Sequence, residues 1–261
     1  MKSLLWTVLV VTLVYLGFGA GTVSADEPPK SPPVSEFAPA ADLAKQVEYY
    51  LNRLEKAVAS NEDYTDLADR VPKDASTIAV IGMALGLHDT DNEYKLAAPG
   101  MIAAAEKLSN AKDYATAKAG VESLQKATKA NPGDSTKIEW QKVASLEELM
   151  LAVPGINTNL KRNARLRRPK SDGPRAAGHA AVLAAIAEAS LYHSADTEKP
   201  ELAKEWFKYC VQMREGAAQV NAAANKGDKE AAMAGMKNLA QSCDDCHEVF
   251  HREALEKEDA R

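Results

Sequence analysis

The chain has 261 residues and a formal charge of −5, from 32 Lys and Arg against 37 Asp and Glu. That length exceeds one small bundle and suits two units of ordinary size, while the mild acidity argues against a nucleic-acid binder. Its three cysteines are too few for a disulfide framework, and alanine and leucine dominate over β-branched residues, so the expected fold class is all-α.

In chain order, Lys2 precedes an apolar run from Leu4 to Phe18 that ends in small residues and Val23-Ser24-Ala25. A basic start, an apolar core and small residues at the −3 and −1 positions are what a signal peptidase requires, so residues 1–25 read as a signal peptide cut after Ala25. The alternative is an uncleaved anchor, since the run is nearly long enough to span a bilayer. No cysteine follows it to carry a lipid. Either way the body of the protein is exported, and a periplasmic location is expected. Residues 26–39 (DEPPKSPPVSEFAP) are proline-rich and polar and read as a linker outside any core.

Helical periodicity follows almost to the end. Leu43, Val47, Tyr50, Leu51, Leu54 and Val58 start a first amphipathic helix, and further helices are expected near 74–88, 93–110 and 112–130. Asn131-Pro132-Gly133-Asp134 then stops the first half. Helices near 136–153, 175–193, 198–225 and 228–258 repeat the plan. Adding 115 to first-half numbers aligns Asp113 with Asp228, Ala119-Gly120 with Ala234-Gly235 and Leu124 with Leu239. The repeat is weak, but helix order and loop positions agree. The expected architecture is two tandem four-helix bundles, over 40–131 and 135–258, rather than one elongated eight-helix domain.

Residues 243–247 read CDDCH. On a helix, positions i, i+3 and i+4 share one face, so Cys243 and Cys246 are placed to form thioethers with the two vinyl groups of a haem while His247 reaches its iron. Met233, Met236, Ala240, Cys243, His247, Phe250 and Ala254 alternate by three and four, the seam of a bundle helix. Two other readings compete. A redox disulfide needs only the C-x-x-C and usually follows a strand at a helix start. A zinc site would recruit His251, but ligands on successive turns of one helix cannot wrap tetrahedrally round one ion. One haem c per chain is the expectation, because the first half has no thiol: Cys243, Cys246 and His247 align with Thr128, Asn131 and Pro132.

With SCDDCHEVFH near the end of its last helix, the chain resembles the class II c-type cytochromes, the cytochrome c-prime group. The resemblance covers about 136–258 in helix count and motif placement, and 40–131 only as a haem-less version of the same plan. It implies a four-helix bundle carrying haem, and, as in relatives that pair through their first two helices, a homodimer. Family members commonly follow the motif with an aromatic and then a basic residue. Phe250 fits, but His251 comes next and Arg252 one later.

The axial position opposite His247 separates electron transfer from gas binding. His247 lies about 16 Å before the expected end of its helix, at eleven residues of 1.5 Å each. In an up-down bundle that level falls near residue 148 of the first helix, and Met150 on the stripe Val143, Leu146, Met150, Val153 is the candidate distal ligand. A thioether there gives a low-spin haem suited to carrying electrons to a redox protein partner. If Met150 is core packing instead, the iron is five-coordinate and open to nitric oxide or carbon monoxide. A third reading makes the haem-less bundle a module that recruits the redox partner. Of the remaining residues, His88 and His193 read as surface residues at helix ends, His179 as a core or boundary histidine and Cys210 as buried packing. Trp140, Trp206, Tyr209 and Phe250 are candidate haem-wall residues, and Lys161, Arg162, Arg165, Arg167 and Arg168 form a solvated face. No general acid–base pair, nucleophile constellation or phosphate loop points to an enzyme.

Overall fold

The computed structural model describes residues 27–130 and 137–253. The signal segment with its cleavage point, the Asn131–Asp134 break, and the last helix from Ala254 onward lie outside the described residues. Those described form nine α-helices and no strand. They are α1 (Ala40–Ala57), α2 (Asn61–Leu67), α3 (Arg70–Leu87), α4 (Ala98–Ser109), α5 (Tyr114–Thr128), α6 (Leu146–Asn163), α7 (Pro169–Ser190), α8 (Ala203–Lys226) and α9 (Lys229–Phe250). Short 3-10 turns occupy Val34–Glu36, Leu191–Asp196 and Pro200–Leu202.

α1 buries Leu43, Val47, Tyr50 and Leu54, the stripe that its spacing predicts. α3 and α7 behave differently: residues 74–85 of the one and 176–190 of the other are buried without a break. Both are rich in alanine, whose small side chain lets neighbours approach on every side. They are therefore the central helices. In the first half α1 packs on α3, α3 on α4, α4 on α5 and α5 back on α1, closing a four-helix ring. In the second half α6 packs on α7, α7 on α8 and α8 on α9. α6 also leans on α3, and α7 on both α1 and α3, so one apolar core runs from Val34 through to Leu239. A polar pin reinforces this joint. Asp42 on α1 accepts from Asn221 Nδ2 at 2.9 Å and Asn225 Nδ2 at 2.8 Å, both on α8.

The structure departs from the sequence expectations at several places. Residues 34–38 are not a tether: Val34, Phe37 and Ala38 are buried in the core, and the Ser35 amide and hydroxyl both donate to Asp89. Proline lowers the chain entropy lost there, and an aromatic and a β-branched residue supply apolar area to bury. α2 is an additional short helix, begun by Ser60, whose hydroxyl accepts from Asp63 N at 3.0 Å. α6 starts ten residues later than the expected 136, at a cap where Ser145 Oγ accepts from Glu148 N. It then runs through Pro154, which is exposed and leaves the Met150 carbonyl without its i+4 donor.

The weak repeat has a physical basis. Asp113 and Asp228 both cap their helices, accepting from Thr116 N and Ala231 N. Leu124 and Leu239 are both buried, and Gly120 and Gly235 both admit a neighbouring helix. At the α8–α9 contact the two backbones come close. A Cβ on Gly216 would lie 2.9 Å from Leu239 N and 3.0 Å from its Cα. Alanine in place of a helical glycine ordinarily stabilises by about 1 kcal/mol, but overpacking against backbone costs about 1–3 kcal/mol. Gly216→Ala should therefore lower the urea midpoint. Gly155→Ala, where a Cβ meets nothing within 4 Å, should raise it.

Candidate haem-attachment site

Among the described helices, α9 packs extensively on α8 alone. Its buried face carries Ala232, Gly235, Met236, Leu239, Ser242 and Phe250. Cys243, Cys246 and His247 are half-buried, along the margin of that face. The seam is rotated from the expected one, because Met233 stays 46% exposed and small Ala232 and Gly235 take the contact instead. The close approach that Gly216 and Gly235 allow fixes this rotation.

Cys246 packs against a second apolar cluster made of Leu191, Ala203, Trp206, Phe207, Cys210 and Phe250. Trp206 is pinned by its Nε1–H, which donates to Ser190 O at 2.7 Å. Phe250 stands edge-on to the rings of Trp206, at 5.3 Å, and Tyr209, at 6.4 Å. Both ring pairs have the geometry aromatic quadrupoles favour, so the wall beside the thiols is rigid. Burial, with Cys243 nearby, pushes the Cys246 thiol up to about 12. Burial also raises Cys210, with Cys246 as its nearest acidic neighbour in effect.

The last turn of α9 is clamped from outside. Lys199 Nζ donates to Val249 O at 2.7 Å, placing a cation at the negative end of the helix dipole. His251 N donates to His247 O at 2.9 Å, and the His251 ring lies 3.6 Å from Glu198. The rings of His247 and His251 are 6.3 Å apart and nearly perpendicular. Among the described residues, no three His, Cys, Asp or Glu side chains are grouped to hold a metal ion.

The structure gathers Cys246 with Trp206, Tyr209 and Phe250, and Cys243 and His247 lie within a turn of Cys246 on the same helix. It does not bring Met150 into that group. Met150 is half-buried against the main core, while Leu146, one turn earlier on α6, packs against the Cys246 cluster. α6 gives its first residue, Leu146, to that cluster and turns Met150 to the main core. Trp140 is also elsewhere, 6.5 Å from Phe37 in the main core. Cys210 is buried as expected, and the five basic residues at 161–168 are exposed. His88 and His193 are not on the surface. His88 is held between Ala38 O and Thr90, and His193 Nδ1 lies 2.7 Å from Asp196. Both bury because the chain beyond each helix end folds back over them. The turns at 191–202 bring Leu191, Tyr192 and Leu202 to the site, which helical periodicity alone does not indicate.

Comparison with family models, curated proteins and solved structures finds no match to this chain. The case for the site therefore stands on its residues.

Proposed function

We propose that this chain is an exported, periplasmic mono-haem c-type cytochrome that passes electrons to a redox protein partner, and not an enzyme. The observation that carries the reading is the C-x-x-C-H on α9, with Cys246 against the Trp206–Phe250 wall and Cys243 and His247 at the margin of a helix that, among the described helices, packs extensively on α8 alone. A flat apolar group attached there would lie on the aromatic wall along the uncovered side of α9. Bound iron would supply one-electron chemistry, with four donors from the porphyrin. Cys243 and Cys246 hold the group covalently, and His247 supplies the proximal nitrogen. Lys199, by fixing Val249, keeps the last turn that carries His247 from fraying.

The finer architecture belongs to the same reading. We take α1, α3, α4 and α5 as a haem-less four-helix unit and α6 to α9 as the haem-bearing one, fused through a shared core. The homodimer implied by the class II resemblance would need a surface that this fusion leaves open.

The distal side admits two readings. Met150 as sixth ligand gives the low-spin electron carrier. Its packing against the main core, while Leu146 reaches the Cys246 cluster, favours a five-coordinate iron that binds nitric oxide or carbon monoxide. The reduced spectrum of the exported protein tests both. Sharp low-spin bands that disappear in Met150→Ala support ligation. A high-spin spectrum unchanged by that substitution, with rapid carbon monoxide binding, assigns the gas-binding role.

A further inference from the structure

At the joint between the two halves, α1, α3 and α6 enclose a cavity of about 130 Å³. Its charged wall comes from Arg53, Arg70, Lys73 and Asp74. Asp74, the only carboxylate lining it among the described residues, is committed to Arg53: Nε donates to Oδ2 at 2.8 Å and Nη2 to Oδ1 at 2.9 Å. Arg53 Nη1 donates to the Tyr49 hydroxyl at 3.3 Å, which leaves the Tyr49 O–H pointing its proton elsewhere. Burial beside Asp74 raises the Tyr50 phenol, so it too remains an O–H donor. Arg70 and Lys73, half-buried one turn apart on α3, share that one carboxylate with Arg53, and Lys73 also lies near Glu148 outside the cavity, so cations outnumber acids in its lining by three to one.

A second observation reports the same positive field. His179 stands edge-on to Tyr49 at 5.4 Å, and its Nδ1 is buried without a hydrogen-bond partner. Burial, with Arg162, Arg53 and Arg175 nearby, brings its pKa down to about 4. In a chain of net charge −5 this is a local excess of cations against the overall sign. The facing wall, on α6, is apolar except for Asn159 at one end. It is built from Ala152, Gly155, Ile156 and Leu151, which is 53% exposed at the rim. A cation pair, phenol donors and an apolar wall in one concave site suit a ligand with an anionic head and a carbon body.

We infer that this cleft binds a small organic carboxylate, its head on Arg70, Lys73 and the tyrosine hydroxyls and its body against α6. The cleft is small and closed on one side by α6, which suits a small monocarboxylate. The inference uses no residue of α9 and holds whether or not haem is attached.

Calorimetric titration of the full exported protein at low ionic strength tests it, with benzoate, succinate and inorganic phosphate as separate probes. Benzoate is expected to saturate at one per chain and to bind more tightly than the other two. The double variant Arg70→Ala/Lys73→Ala should weaken benzoate about tenfold or more, as should Gly155→Phe, which fills open space. Thermal unfolding of both variants should remain cooperative, separating lost binding from lost structure. No saturable benzoate heat, or benzoate affinity unchanged in both variants, would overturn the site. Phosphate binding more tightly than benzoate would overturn the apolar half of the inference by reducing the cleft to a patch of charge.

Discussion

Replacing Cys243 and Cys246 together by alanine should abolish covalent haem, leaving an exported protein whose denatured mass is that of the polypeptide alone. Wild-type protein should be heavier by one haem and should keep its colour through acid–acetone extraction. Each single substitution should leave one thioether and a lower yield. His247→Ala should leave the thioethers but remove the proximal nitrogen, so that the reduced spectrum changes while the mass does not. Unfolding would not explain the loss. Cys243 is half-buried, and removing the Cys246 sulfur from beside Trp206 and Phe250 deletes one atom, a change of about 1–2 kcal/mol. Far-UV circular dichroism of the double variant should therefore show the helix content of the wild-type protein. Wild-type protein that carries no mass adduct would sink the cytochrome reading. It would leave the carboxylate cleft untouched, since that cleft is built on α1, α3 and α6.

How legible the fold was in the sequence depended on the kind of signal. The stripe of α1 is plain because Leu43, Val47, Tyr50 and Leu54 are large apolar residues at helical spacing on an otherwise mostly polar helix. α3 and α7 carry almost no amphipathic pattern, since alanine serves both at a surface and at a tight contact. Their central position emerges only from what surrounds them. α6 was misplaced although its start is written in Ser145-x-x-Glu148, because apolar spacing upstream extends the helical pattern without a cap to begin it. Met150 lies one turn from Leu146, which reaches the Cys246 cluster, but packs on the main core, and apolar spacing alone does not say which neighbour each member of a stripe meets. The thiols and His247 were readable because their spacing is local to one helix. The wall around them was only partly so, because Leu191, Tyr192 and Leu202 arrive on turns of no periodicity. The burial of His88 and His193 depends on chain that returns over them. The joint between the halves, with Asp42 reaching Asn221 and Asn225, spans about 180 positions and leaves no local trace.

Arg214→Ala should be the most damaging single substitution away from α9. Glu188 on α7 has no exposed surface, and its Oε2 accepts from Arg214 Nη1 on α8. Its other oxygen, Oε1, is buried without a hydrogen-bond partner. Removing the guanidinium strands that carboxylate in the core, and breaking a buried pair from one side costs about 3–5 kcal/mol. Arg214 also lies over the Phe37 ring, 5.6 Å from its centroid, a contact worth about 0.5–2 kcal/mol. The single variant should therefore loosen residues 34–38 as well as the α7–α8 contact, and amide exchange at Phe37 and Ala38 should accelerate with the fall in urea midpoint. The pair itself is a different matter. Two charges taken out of water recover little more than their desolvation, so Glu188→Leu/Arg214→Met should lie within about 1–2 kcal/mol of wild type. A double-mutant cycle measures the difference. Strong coupling in the cycle with a near-neutral double variant is the expected result, because the cost of Arg214→Ala lies in the stranded Glu188 carboxylate. Additive losses would mean that solvent reaches Glu188 once Arg214 is gone, and that α7 and α8 part more readily at this level than their packing implies.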